Sequence, residues 1–547
     1  MPPFTGRPAT RSTRAMISTP HYLATEAGVQ ALRREGSAVD ACIAAHAVLC
    51  VAYPHMTGLG GDGFWLVRDP ATRAIDALNA SGPAAALATA DRYRGAGLDA
   101  PPGRGPAAAL TVPGAVDGWR LAHERYGALP WAELFEDAIR LAREGVPVAR
   151  GLAAWIRKDR APLADEDAGG VFLPAGVPLL EGDRLVIPGL AATLERIARL
   201  GARPGFYEGE TAHEACRSLG ERGSPLRAAD FAGYVAEWTS PISVSYRDFQ
   251  VVEFPPNTQG LAALEILAML DSFDVAAWGD PGVDYLHHVV EATKLAFADR
   301  DAWVADPRRV DIPLERLLSA EYAAERRALI DPEGVMDRSR VRPGLPFDVN
   351  SFRPRSAGGD TCYLCAVDGD GLVASTIQSI FHDFGSMAIG GATGVLLQNR
   401  GSAFSLREDD ANRLEPGKRP FHTLTPALLL RDGEAYAAFG AMGGDGQPQT
   451  HAALVTRLLD FGYDVQQAIE APRWRLGRSW GAGTDALALE GRIPDEVGLA
   501  LEARGHRLLR LADWDDAMGH AQAVRIDPRG FMEGGADPRG DGAASGF

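Results

Sequence analysis

One segment limits the possible folds more than any other. Residues 38–51, Ala-Val-Asp-Ala-Cys-Ile-Ala-Ala-His-Ala-Val-Leu-Cys-Val, place apolar or small side chains on nearly every face of a helix. A helix without a polar stripe must be covered on all sides, so the chain has to build layers around it. Ser37 is placed to cap this helix and Asp40 falls in its first turn. His46 within it reads as a core histidine rather than a ligand. An amphipathic stretch over 24–34, stopped by Glu35-Gly36, predicts a second helix before it.

The rest of the chain divides into a helix-rich and a strand-rich part. Helical periodicity is clearest over 135–144, 190–200, 261–270 and 285–303. Residues 333–360, broken by Pro343, Pro346 and Pro354, read as a surface linker. Strands are then expected over 361–368, 372–381, 393–398, 427–431 and 434–440, with hairpin turns at Gly369-Asp370-Gly371 and around Asp432-Gly433. Helices return over 451–461 and 465–471. Gly58, Gly60 and Gly63 match G-x-G-x-x-G, but a helix precedes them and a strand follows. That order is the reverse of a dinucleotide site, and a tight turn with close backbone approach is expected instead.

Composition excludes several classes of function. Of 547 residues, 46% are hydrophobic and 23% charged, which is ordinary for a globular chain with a large core. A net charge of −17 argues against nucleic acid or an anionic membrane as partner. Basic residues near the start are not followed by an apolar segment, so no secretory signal is read and the cytoplasm is the expected compartment. Five cysteines, an odd number in a long chain, fit reduced thiols. Cys362 and Cys365 have C-x-x-C spacing, yet on a strand their side chains point to opposite faces. No zinc, P-loop or G-x-S-x-G motif occurs, and neither a cofactor nor a metal is expected.

Two features do carry chemistry. Gly358-Gly359-Asp360 delivers Thr361 to the first position of an apolar strand. A cut before Thr361 would put a hydroxyl and an α-amine on one residue, where the amine can serve as base for the hydroxyl. Gly443 and Gly444 follow a strand, where successive backbone N–H groups can hold an oxyanion. Both features also have plain readings, as a strand-opening residue and a glycine turn.

Taken with Thr111-Val112-Pro113-Gly114-Ala115-Val116-Asp117-Gly118-Trp119 and Glu291-Ala292-Thr293-Lys294-Leu295-Ala296-Phe297-Ala298-Asp299-Arg300, these features resemble the γ-glutamyltransferase (γ-glutamyltranspeptidase) family. Pro255-Pro256-Asn257-Thr258-Gln259-Gly260 and Lys418-Arg419-Pro420 extend the resemblance over nearly the whole chain. It implies an α+β fold, the four-layer αββα sandwich of N-terminal nucleophile hydrolases. It also implies a proenzyme cut between Asp360 and Thr361 into chains 1–360 and 361–547, which stay associated, with a dimer of the pair left open. Thr361 would be the nucleophile, Gly443 and Gly444 the oxyanion hole, and Ser379 the hydroxyl that bonds the nucleophile, a place the family gives to threonine. The partner implied is a small-molecule amide.

The residues that hold a γ-glutamyl group differ. The early arginine of the family has no counterpart in Asn79-Ala80-Ser81-Gly82-Pro83. In Asn399-Arg400-Gly401-Ser402-Ala403, Ala403 takes the acidic position and Arg400 that of a neutral polar residue. His422-Thr423 replace paired serines, and Phe381 replaces an asparagine. Asn79, Asn399, Arg400, His422 and Thr423 are therefore the candidate substrate-binding residues, with His382 and His422 near the inferred site. Arg400 would repel an ammonium and attract a carboxylate, unless it serves only as a structural ion-pair former. The expected activity is an amidohydrolase for a small amide of the oxamate type. The alternatives are a glutathione hydrolase or γ-glutamyl transferase, an acylase for β-lactam side chains, and an unprocessed binding protein.

Overall fold

The computed structural model describes residues 5–346, 359–477 and 486–547. Two seven-stranded antiparallel sheets form its centre. The first runs Thr10–Ser12, Phe531–Ala536, Ala521–Asp527, Glu434–Ala441, Ala427–Arg431, Phe249–Glu253, Ile242–Tyr246. The second runs Ala543–Gly546, Met16–Thr19, Asp360–Val367, Val373–Phe381, Asp62–Arg68, Ile75–Ala80, Glu237–Thr239.

The buried side chains sort into layers. Phe64, Leu66, Tyr363, Cys365 and Ile377 from the second sheet pack with Val252, Leu428, Ala438 and Val524 from the first, filling the space between sheets. The other face of the second sheet, with Cys362, Leu364 and Ile380, is covered by the helices Tyr22–Arg33 and Ala38–Ala52. The other face of the first sheet, with Val251, Leu429, Phe439 and Ala523, is covered by Gly260–Leu270, Val283–Trp303 and Gly446–Leu459. This is the four-layer αββα sandwich. Every residue of Ala38–Ala52 is buried, and Ser37 and Asp40 form a capping box at its start. His46 meets the Thr376 hydroxyl at 3.2 Å. Cys362 and Cys365 belong to cores on opposite sides of their sheet.

Both sheets draw strands from either side of the 360–361 bond, so residues 1–360 and 361–547 are interleaved rather than docked. Two expectations need correction. Residues 393–398 form no strand: Leu396 and Leu397 make only isolated bridges, to Ile389 and Gly60. The helix-rich part before the linker is not purely helical, since Glu237–Thr239, Ile242–Tyr246 and Phe249–Glu253 supply edge and near-edge strands. Their mixed burial lacks the strict alternation that marks a strand in sequence. Part of the expected linker, 347–358, lies outside the described residues. Among those described, no helix is long and apolar enough to cross a membrane.

Candidate active site

The site lies where the strand Asp360–Val367 begins and Glu434–Ala441 ends. In the register, Asp360 faces Phe381 and Cys362 faces Gln378, so Ser379 and Ile380 together oppose Thr361. This is a β-bulge on the partner strand, a device that re-aims side chains at the end of a ladder. Phe381, immediately after it, has φ of 79°, a conformation costly for a bulky residue. Thr361 is 1% exposed and its hydroxyl oxygen is buried without a hydrogen-bond partner. Leaving a buried hydroxyl unpaired is unfavourable, and such an orphan next to a bulge fits a group reserved for chemistry. Ser379 Oγ accepts from the Phe381 amide at 2.7 Å.

The glycine loop fixes this region from below. A Cβ at Gly60 would overlap the Leu396 carbonyl, and one at Gly61 the Ser379 carbonyl. The G-x-G-x-x-G match is thus a crossing of backbones. Asp62 follows, opening the strand Asp62–Arg68 directly opposite Ser379.

On the other strand, Gly440 packs so closely on the Tyr363 ring that a side chain there would overlap it. This contact brings the end of Glu434–Ala441 beside the start of Asp360–Val367. Gly443 and Gly444 continue with φ of 130° and 56°, values that favour glycine. A buried network holds the pair. The Gln259 carboxamide donates to the carbonyls of Gly444 at 2.8 Å and Thr423 at 2.7 Å, and accepts from Arg300 Nη1 at 2.9 Å. Arg300, 0% exposed, also donates to Asp445 at 2.8 Å and Asp301 at 2.8 Å. Gln259 and Arg300 sit inside the two motifs that resemble the family, and the structure gives those motifs a physical purpose.

Arg400 is fully buried. Its Nη1 donates to Thr423 Oγ1 at 3.3 Å and its Nη2 to Ser379 Oγ at 3.5 Å, both long, while Nε has no partner. The Phe381 ring lies 4.0 Å from the guanidinium carbon, a cation–π contact. Burial pushes the Arg400 pKa down to about 9, offset by the charge of Asp62, so the group stays cationic at neutral pH. Burial raises Asp62 to about 7, against hydrogen bonds from Gly82 and Gly114 and the charge of Arg400. His422 is held well below the usual imidazole range by burial, then by Arg400 and Arg419. Its Nε2 is 3.2 Å from Asp62 Oδ2.

Ser379, Arg400, Thr423 and the glycine pair are therefore linked through direct contacts or one intermediate, with Thr361 opposite Ser379 across the bulge and His422 next to Thr423. Asn399 and Asn79 stand behind. Asn399 accepts from the His382 amide at 3.0 Å and donates to the Gly103 carbonyl at 2.6 Å. Asn79 donates to Asn257 at 3.0 Å and accepts from both the amide and hydroxyl of Ser81. Asp62, Gln259 and Arg300 are the site residues that sequence reasoning missed. Away from the site, His287, Glu291 and His506 have metal-ligand spacing. Their polar atoms already bond one another, the Asp331 carbonyl, Lys294 and the Met336 amide. A cavity of about 720 Å³ lined by Asp167, Arg184, Pro188 and Arg222 includes none of the candidate residues.

Comparison with known proteins agrees with this geometry. The family model described as gamma-glutamyltranspeptidase matches residues 24–547. The glutathione hydrolase-like YwrD proenzyme of Bacillus subtilis is 42% identical over 98% of this chain and 99% of its own. The oxamate amidohydrolase proenzyme of Klebsiella pneumoniae is 41% identical over 98% of this chain and 99% of its own. The solved cephalosporin acylase of Bacillus halodurans superposes with a TM-score of 0.91 at 35% identity, covering 100% of this chain and 98% of that one. A buried threonine at a strand start, a glycine pair locked beside it and these relatives lead to one conclusion: the chain belongs to the γ-glutamyltranspeptidase family of N-terminal nucleophile amidohydrolases.

Proposed function

We propose that the chain cuts itself between Asp360 and Thr361, and that the product hydrolyses a small amide bearing a carboxylate but no α-amino group near the scissile bond, of which oxamate is the simplest. The Thr361 hydroxyl attacks the amide carbonyl while its own α-amine takes the proton. The N–H groups of Gly443 and Gly444 hold the developing oxyanion. The amine then leaves with that proton, and water cleaves the acyl ester to release the acid and restore Thr361.

The observation that carries this reading is Arg400. It is a buried cation beside Ser379 with long hydrogen bonds and a spare donor, and the acidic position of the usual site holds Ala403. A guanidinium with unused donors suits a carboxylate and repels an ammonium. The similarity to a named oxamate amidohydrolase supports the same substrate class. The similarity in shape to a cephalosporin acylase supports a second reading, in which the acyl group is longer, as in a glutaryl side chain.

Two measurements test the proposal. Denaturing electrophoresis should resolve two bands matching 1–360 and 361–547. Turnover of oxamate, a glutaryl cephalosporin and γ-glutamyl-p-nitroanilide should then rank the glutamyl substrate last. Arg400→Met should weaken binding of the preferred acid by about 10–100-fold, the worth of a charge-assisted pair. Faster turnover of the glutamyl compound, or an Arg400→Met enzyme with unchanged KM, would sink the proposal.

A further inference from the structure

Asp62 Oδ1 is occupied: it accepts from the amides of Gly82 at 3.0 Å and Gly114 at 3.1 Å. Its Oδ2 is buried without a well-aligned hydrogen bond, 3.2 Å from His422 Nε2. Both ring nitrogens of His422 are likewise buried without hydrogen bonds. Asp62 lies directly opposite Ser379, whose hydroxyl meets Arg400 Nη2 at 3.5 Å, so its charge acts against the burial of Arg400. A cation taken out of water needs such a partner, and a substrate carboxylate on Arg400 would bring a second anion into the same field. Two anions sharing one desolvated site do not both stay ionised.

We infer that Asp62 is a specificity-determining counter-ion for Arg400, which yields its role to the substrate carboxylate and takes one proton from solvent onto Oδ2 as the substrate docks. This rests on the reading that the substrate carries a carboxylate. The proton returns to solvent when the acid product leaves, so the cycle is balanced. The side chains around Asp62 fit the assignment, and the Thr361 α-amine of the processed chain, which titrates at about 8, is present equally in Asp62→Asn, so that variant separates the two. His422 is kept neutral by its surroundings, and Arg400 stays cationic. Tyr207 and Tyr234, which feel the Asp62 charge, are raised far above their usual range by burial and remain protonated. Gln398 is neutral. Asp62 itself is poised near neutrality, at about 7. Below that pH it is already protonated and leaves Arg400 open to an anion; above it, its carboxylate competes with the substrate.

The processed enzyme tests this with pyruvate, which has a carboxylate beside a carbonyl and no amine to lose. Calorimetric titration in buffers of different ionisation enthalpy should show uptake of about one proton per pyruvate bound near pH 8. The KM for oxamate should rise about tenfold from pH 6 to pH 8, through the Asp62 titration. Asp62→Asn keeps the Oδ1 acceptor for Gly82 and Gly114, and should flatten the KM profile and abolish proton uptake. Pyruvate binding without proton uptake in the native enzyme, or uptake that persists in Asp62→Asn, overturns the inference while leaving the substrate class standing. Uptake lost in His422→Gln but kept in Asp62→Asn would move the proton to the imidazole and overturn it too. Failure of both pyruvate and oxamate to engage across this range removes the carboxylate reading and the inference with it.

Discussion

Gln259→Met is the sharpest test of how the glycine pair is held. The two side chains have similar volume, so the substitution removes polarity with little cavity or strain. Three hydrogen bonds go: those to the carbonyls of Gly444 and Thr423, and the one received from Arg300. At about 0.5–1.5 kcal/mol each, more where a charge takes part, the loss is about 2–4 kcal/mol. Gly444 retains one bond, from the Gln447 amide at 3.2 Å, and Arg300 retains Asp445 and Asp301. The fold should therefore survive while the loop 443–444 loosens.

Deleting an oxyanion donor costs about 100–1,000-fold in kcat. Loosening the donors without deleting them should cost less, about 10–100-fold, with a smaller change in KM for oxamate, since Arg400 loses no bond of its own and is reached only through Thr423. Steady-state kinetics on the processed variant, alongside its thermal midpoint, would measure both effects. Self-cleavage followed by electrophoresis gives a readout that depends on no assumed substrate, and it should slow in parallel. A lowered thermal midpoint with wild-type kcat and wild-type cleavage rate would refute the reasoning, since the glycine pair would then keep its geometry without Gln259.

Other substitutions probe the remaining parts. Thr361→Ala should leave a single uncut band and no amide turnover, whereas Thr361→Ser should keep both at reduced rate; an active Ala variant would remove Thr361 as nucleophile. Gly60→Ala sets a methyl group against the Leu396 carbonyl and should destabilise the fold by about 1–3 kcal/mol, the usual range for overpacking. Its denaturation midpoint should fall well below that of Gly97→Ala, since Gly97 has open space around it and only its φ of 78° to strain.

The parts of this fold that could be read in advance are those whose pattern is local. The all-apolar run 38–51 demanded cover on every side, and the helix Ala38–Ala52 has it. The glycines at 58–63 announced a close backbone crossing because no strand precedes them. What stayed hidden depends on partners distant in sequence. Phe531–Ala536, with its Glu-Gly-Gly centre, is a strand because Ala521–Asp527 and Thr10–Ser12 flank it, not through its own preference. Val395-Leu396-Leu397 has a strand's composition but crosses the Gly60 backbone and makes only single bridges. Asp62 was concealed among turn glycines, and only the register opposite Ser379 reveals its place in the site.

The departures from the γ-glutamyl site become intelligible as one change of charge rather than several losses. Removing an acid at position 403 and adding a buried cation at 400 would leave a guanidinium without compensation, a costly state. Phe381 shields one face of that guanidinium through its ring, while Thr423 and Ser379 accept its long hydrogen bonds. Asp62, opposite Ser379 and anchored by two backbone amides, is the inferred source of the balancing charge. Arg400, Ala403, Phe381 and Thr423 each look like a defect when set singly against the family pattern. Together they place a buried cation beside Ser379, opposite Thr361. On the proposed reading, a site so arranged selects the charge of the acyl group while leaving the chemistry at Thr361 as it was.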